Sequence, residues 1–434
     1  MKRLVLAGGG HAHLHVLKSL AHGKWPDVEV VLVTPHDRQV YSGMLPGWIA
    51  GHYQLDECVA PLRPLADAAG VRLVQDSVIG LDPRRRILRC AETGDISYDV
   101  LSLDIGAQVN LSTLAATTAT LLPIRPIERF IVEWSRVLET SVRAGRARIA
   151  VAGGGAAGVE LALAMRYRLR KSLPEEAVEV VLVEGRGLLN GHGEPVISRV
   201  RRMLDKRGVV SVRDYAAGCD GGLLFPDGSR FDADYVIATT GVMPPPWLSD
   251  SHLALAQDGF VAVGDGQQSV SHANVFAGGD IASRVDRPHA KSGVYAVRAG
   301  PVLADNLHRT LTGKGLAPYA PQRRSLYLLA TGPRHAIASW NGWTAEGEWV
   351  WRWKDWIDRR FMKQYAPADR VVQDATAESR LEPGESLEGV FDDGVSAAHR
   401  IGCDQGGSGG WHHPQPHQSG PVTARHVTNC VAGR

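Results

Sequence analysis

The apolar positions of this chain fall in short unbroken runs, the pattern of strands buried on both faces, and these runs alternate with stretches of helical spacing. KRLVLA at 2–7 leads through Gly8, Gly9 and Gly10 into a helical stretch ending near Leu20, and then into VEVVLV at 28–33. That order predicts a βαβ unit. Residues 148–183 repeat it: RIAVA, the turn Gly153-Gly154-Gly155-Ala156-Ala157-Gly158, the helical VELALAMRYRLRKSL, and VEVVLV a second time. The two turns lie about one domain length apart. Further apolar runs end in glycine at LSLDIG (101–106), YVIATTG (235–241) and ANVFAGGDIA (273–282). Strands alternating with helices predict an α/β fold with two Rossmann-like dinucleotide-binding domains and a small C-terminal region.

A glycine turn between a strand and a helix has a specific chemistry. Its glycines let the backbone approach a pyrophosphate, and the helix N-terminus supplies amide hydrogens and positive dipole. The second copy is complete in Gly153, Gly155 and Gly158, and its partner strand ends in Glu184. A carboxylate there accepts hydrogen bonds from both hydroxyls of an adenine ribose, which favours NADH over NADPH. Arg186, two residues on, opposes that preference because it can meet a 2′-phosphate. The bland alternative for Glu184 is a solvated strand end. In the first copy Gly8 and Gly10 are in place, but His13 stands where the third glycine belongs, and the second strand ends in Thr34. A ribose partner there is Thr34 or Asp37, and spacing does not choose between them.

Composition narrows the partners. The chain has 434 residues, 44% hydrophobic and 22% charged, enough for two or three globular domains. A formal charge of +2 provides no basic field for a nucleic-acid backbone. The five cysteines stand singly, without CxxC or CxxxxC spacing, which points to a reducing compartment. No stretch approaches the roughly 18 apolar residues of a spanning helix, and the apolar start ends at Gly8 as a strand rather than a leader. A cytoplasmic protein is expected.

Taken together, the two glycine turns, LSLDIG, YVIATTG and FAGGD resemble the pyridine nucleotide-disulfide oxidoreductase superfamily over roughly residues 1–310. The strings GGGHAH (8–13), YSGMLPG (41–47), DVLSLDIG (99–106) and WRWKDWIDRRFMKQY (351–365) look like the flavoprotein module that some bacteria carry fused ahead of selenophosphate synthetase. Type II NADH dehydrogenases and sulfide:quinone reductases are similar in outline. The resemblance implies an FAD domain in two segments, 1–115 and 245–310, with an NAD(P)H domain at 116–244 inserted between them. A C-terminal region follows at 311–370 and a tail, expected to be disordered, at 371–434. FAD would meet Gly8, Gly9, Gly10, His11, Ala12, His13, Thr34 or Asp37, Val78, Gly106 and Gly279. Asp280 would bond the ribityl chain, Ser42, Gly43 and Met44 would line the isoalloxazine ring, and Lys291 would face its N1–C2 edge. NADH would meet Gly153, Gly155, Gly158, Glu184 and Gly241, with Glu160 near the nicotinamide. His11, His13 and His15 alternate, but they read as cofactor-packing side chains and no metal is expected.

The function implied is an FAD-dependent NAD(P)H oxidoreductase that passes hydride from NADH to flavin N5 and electrons on to a quinone or other small acceptor. The missing cysteine pair argues against a disulfide relay, and Cys58 reads as structural. The alternatives are a reductase of selenium compounds serving a selenophosphate synthetase partner, or a flavin-binding partner protein without turnover. In EWVWRWKDWIDRRFMKQY, Trp349, Trp353, Trp356 and Arg360 share a helix face. That face is expected to pack over the flavin domain or form a homodimer, with peripheral contact at the inner face of a membrane as the competing reading.

Overall fold

The structure, a computed structural model, describes residues 1–366 apart from Lys24 and Arg323. The first glycine turn belongs to a five-stranded parallel sheet in the order Val275–Ala277, Val100–Leu103, Lys2–Ala7, Val28–Thr34, Arg72–Gln75. Leu4 lies between Val30 and Val100 across its two neighbours. Alternation explains why the strand is apolar throughout. Leu4 and Leu6 enter one core with the helix His11–His22, while Val5 and Ala7 enter another on the opposite face. That helix packs on the helix Gly293–Leu311, where a Cβ at Gly300 would stand 2.8 Å from His15 Cβ and 3.2 Å from Ala12 O. The two backbones approach as closely as they do because glycine is there.

The second turn belongs to a second five-stranded parallel sheet, in the order Thr120–Pro123, Tyr235–Ala238, Ala147–Ala152, Val178–Val183, Val210–Val212. The repetition runs deeper than the glycine turns. Each sheet carries a three-stranded antiparallel meander before its last crossing, at Val78–Ser97 in the first and Ala217–Asp232 in the second. The chain passes between the two sheets after Gly106 and after Gly241. There Gln108–Val109 pairs antiparallel with Val242–Met243, so both crossings run as one ribbon.

The C-terminal region is a three-stranded antiparallel sheet, Tyr327–Ala330, Ala336–Trp340 and Trp343–Gly347, followed by the helix Glu348–Lys363. It touches the parts of the chain built around both parallel sheets. Arg199 bonds Thr344 and Arg202 bonds Glu346 on one side, while Lys18 bonds Gln364 on the other.

The helix packs by the face opposite to the one its tryptophans suggest. Val350, Trp351, Lys354, Asp358, Phe361 and Met362 are buried, whereas Trp349 and Trp356 are 52% and 46% exposed. The guanidinium of Arg360 lies 5.3 Å from the Trp356 ring centroid. The packing face is disguised in the sequence by a buried ion pair, Lys354–Asp358 at 2.7 Å, which periodicity reads as polar. No described helix is long and apolar enough to cross a membrane. The tail expected at 371–434 lies outside the described residues.

Candidate active site

At the first turn Gly8, with φ +93°, donates its N–H to Val33 O at 2.7 Å, and Gly9 abuts Leu62. His13 fills the room of the missing glycine. Its Nδ1 lies 2.6 Å from Gly8 O and its Nε2 2.7 Å from Ser102 Oγ, and burial pushes its pKa down to about 4. A neutral ring with one donor and one acceptor satisfies both contacts: Nδ1–H donates to the carbonyl and Nε2 accepts from the hydroxyl. His11 is neutral for the same reason, and its Nε2 is buried without a partner.

A side chain that the glycine pattern does not reveal occupies the same place. Asp104, at the end of the strand Val100–Leu103, is 3% exposed. Its Oδ2 accepts from Ala12 N–H at 2.8 Å and His13 N–H at 2.9 Å. A Cβ at Gly10 or Gly279 would run into this carboxyl group. Beside it, Asp280 is paired with Arg125, which enters from the loop after the strand Thr120–Pro123.

The second turn is open. Gly153, with φ +129°, donates to Val183 O at 2.8 Å, and a Cβ at Gly158 would strike Gly153 O, so the third glycine lets the helix close on the turn. A Cβ at Gly155 would meet nothing within 4 Å. Glu184 ends its strand 5% exposed; Oε1 accepts from the Ser211 hydroxyl, and Oε2 is buried without a partner. Arg186 is exposed.

Between the turns the C-terminal helix clamps the YSGMLPG loop. Lys354 Nζ donates to Gly43 O at 2.6 Å and to Asp358 Oδ2, and Asp358 in turn accepts from the Tyr41 hydroxyl. Tyr41 packs at a tilt against Phe361, with centroids 4.5 Å apart, and leans on His11 at 5.8 Å. Glu160, the fifth residue of the helix Ala156–Leu169, accepts from Ala330 N–H at 2.8 Å. Burial pushes its pKa up to about 7 against the pull of the Lys354 ammonium.

The remaining expected residues are spread around this centre. Ser42 Oγ lies close to Gly293 at the start of the second long helix, but Met44 is directed into the core at 1% exposure. Lys291 Nζ is engaged away from the loop, donating to Ala282 O and Ser283 Oγ at 2.6 Å and lying 4.0 Å from the Phe260 ring centroid. Thr34 is buried at the strand end, whereas Asp37 is exposed. Val78 pairs with Cys90 at the start of the first meander. Gly106, with φ +71°, and Gly241 stand at the two crossings. Cys58, Cys90 and Cys219 are free; burial pushes the Cys58 thiol up to about 12 and the Cys90 thiol up to about 11, which keeps both in the unreactive form.

Both turns fit a dinucleotide. The second offers an open glycine at a helix N-terminus and an orphaned carboxylate oxygen at the end of the partner strand. At the first, the unpartnered Nε2 of His11 lies within electrostatic reach of Arg125 and Asp280. The fit differs in one respect, the carboxylate of Asp104. Sequence reasoning missed Asp104, Arg125, Lys354 and Asp358. Setting LSLDIG over VIATTG exposes the first of these, since Asp104 then falls on Thr239.

Two linked nucleotide-binding sheets with glycine turns of this kind define a two-dinucleotide-binding oxidoreductase. A sequence profile of the pyridine nucleotide-disulphide oxidoreductases matches residues 2–300, and the chain belongs to that family, whose members are NAD(P)H-dependent flavoprotein oxidoreductases. It is 23% identical to the NADH dehydrogenase-like protein YutJ of Bacillus subtilis (strain 168), over 74% of this chain and 87% of that protein. It is 26% identical to the demethylphylloquinone reductase NdbB of Synechocystis sp., over 78% of this chain and 86% of that one. Among solved structures, the sulfide:quinone oxidoreductase of Aquifex aeolicus superposes with a TM-score of 0.69 at 16% identity, over 88% of this chain and 96% of that one. The protein is therefore an oxidoreductase enzyme.

Proposed function

We propose that this enzyme oxidises NADH in preference to NADPH at the turn Gly153–Gly158, holds FAD at the turn Gly8–Gly10, and delivers the electrons to a quinone or similar small acceptor without a thiol relay. The observation that carries the reading is Glu184: a buried strand-end carboxylate with one oxygen unpartnered, next to an open glycine turn. Its charge accepts two ribose hydroxyls and repels a 2′-phosphate. A bound flavin supplies the chemistry that no side chain here has, taking two electrons from a nicotinamide and giving them to a second substrate.

The chain's own residues do the rest. Gly8, Gly10 and the His11 amide receive the FAD diphosphate, Asp280 is positioned by Arg125 for the ribityl hydroxyls, and Thr34 is the strand-end partner for the ribose. Lys354 and Asp358 hold Tyr41 and Gly43, and with them the floor of the ring pocket. Reduction of a quinone consumes a proton beyond the one carried with the hydride. Glu160, with a pKa near neutrality and Lys354 beside it, is placed to supply that proton. A quinone is favoured over other acceptors by the likeness to NdbB, a demethylphylloquinone reductase.

The test is an anaerobic titration of the purified protein with NADH and then NADPH, following the flavin absorption bands, and then reoxidation by a water-soluble quinone. Bleaching by stoichiometric NADH with rapid recovery on adding quinone is the expected result. A flavin that stays oxidised under NADH, or reduced under quinone, overturns the reading at the corresponding half-reaction.

A further inference from the structure

The first glycine turn already holds an anion of its own. The internal repeat shows how unusual this is. In both copies the first glycine donates to the neighbouring strand, Gly8 to Val33 O and Gly153 to Val183 O. In both, a Cβ on that glycine would run into the backbone carbonyl of one residue on the strand behind, Asp104 in the first copy and Thr239 in the second. Asp104 and Thr239 are therefore structural equivalents. Thr239 is neutral and turns its hydroxyl to Ala152 O at 3.0 Å, which leaves the amides of the following helix to a ligand. Asp104 does the opposite, taking the Ala12 and His13 amides for its own carboxylate.

A helix N-terminus carries roughly half a positive charge, and one carboxylate largely satisfies it. A diphosphate brought to the same turn then meets a like charge in a dry place. The other groups around Asp104 offer little compensation. From the same helix, His11 and His13 are both held neutral by burial. Ser102, on the strand leading to Asp104, is uncharged and bonded to His13. From the turn Gly279–Ile281, Asp280 adds a second carboxylate, and the Arg125 cation is paired with that one. Lys291 is engaged by Ala282, Ser283 and Asp258.

We propose that Asp104 couples flavin retention to a proton: the FAD diphosphate is accepted at the first glycine turn together with one proton from solvent, taken up by this carboxyl group. The like-charge contact then becomes a neutral one. Burial already pushes the Asp104 carboxyl up to about 7, so the uptake falls at physiological pH. The inference rests on the reading that FAD occupies this turn.

The test measures FAD binding rather than turnover. Flavin is stripped from the full-length protein, and FAD fluorescence quenching gives its Kd between about pH 6 and pH 8.5 for wild type and Asp104→Asn. Linkage makes affinity fall toward tenfold per pH unit once the free carboxyl is ionised, here above about pH 7. The asparagine variant, which keeps an oxygen for the two amides, is expected to bind with a flat pH dependence and at least tenfold more tightly at the alkaline end. Calorimetry of the wild type in buffers of low and high ionisation enthalpy counts the proton directly and needs no variant; about one is expected at pH 8. FAD bound with no proton uptake, or a wild-type slope retained in Asp104→Asn, overturns the proposal while leaving the site assignment intact. Absence of FAD binding at every pH in both proteins overturns the site assignment, and the proposal with it.

Discussion

Replacing Glu184 tests the nicotinamide site most directly. Its Oε1 is bonded to Ser211 and its Oε2 is buried and unpartnered. A ribose diol fits this state because it brings two donors to a carboxylate that lacks one. A hydrogen bond to a charged group contributes about 1.5–3 kcal/mol. Losing one such bond therefore weakens NADH by about 10- to 100-fold, at about 1.4 kcal/mol per factor of ten. Glu184→Ala removes both oxygens, while Glu184→Gln keeps the shape and one acceptor, so the alanine variant should show the larger loss. NADPH should be affected less, or bind better, because the repulsion of its 2′-phosphate is relieved and exposed Arg186 is close in sequence. Stopped-flow flavin reduction at increasing nucleotide concentration gives the Kd and the limiting rate separately. A higher Kd at an unchanged limiting rate, with normal flavin content, is the expected outcome. An alanine variant whose NADH Kd stays within twofold of wild type would refute the assignment of Glu184 to the ribose.

Other consequences can be measured independently. Glu160 holds its proton below about pH 7, so quinone turnover should decline as pH rises through that value. Glu160→Gln should slow quinone reduction and abolish the decline, while leaving ferricyanide reduction, which needs no proton, unchanged. The folded-state pKa of Asp104 is raised from 3.8 to about 7, so its contribution to stability is full at low pH and lost as pH rises through that interval; Asp104→Asn should flatten the fall in Tm between about pH 5 and pH 8. Lys354→Met leaves the Asp358 carboxylate buried without its cation and should cost about 3–5 kcal/mol of stability in denaturant melts, more than the double variant with Asp358→Leu. Trp349→Ser with Trp356→Ser should reduce flotation with anionic liposomes if this exposed pair meets a membrane, and unchanged flotation removes that role.

The parts of the molecule set by local pattern were readable from the residues. Buried parallel strands are continuous apolar runs, and a glycine turn between strand and helix has few other uses, so both nucleotide-binding sheets and the open second turn were visible in KRLVLA, RIAVA and their sequels. What stayed hidden depends on side chains meeting across long stretches of chain. Asp104 reaches the helix N-terminus from a strand about ninety residues on. Arg125 reaches Asp280 across 155 positions. The Glu348–Lys363 helix was recognised, but its orientation was not. Its inner face contains Lys354 and Asp358, which hydropathy counts as solvent-facing until the partners Gly43 and Tyr41 are known. Histidine in place of the third glycine likewise becomes intelligible only when Ser102 and Gly8 O are seen to receive its two nitrogens.

The ribbon formed by the two crossings ties the sheets together along one edge. The C-terminal region ties them again elsewhere, through Arg199 and Arg202 on the side of the second sheet and Lys18, Tyr41 and Gly43 on the side of the first. Rotation of one sheet against the other about the ribbon would have to break the contacts that the C-terminal region makes with one of them. The sheet Tyr327–Gly347 and the helix Glu348–Lys363 are thus a brace as well as a cover, because they hold both sheets at once.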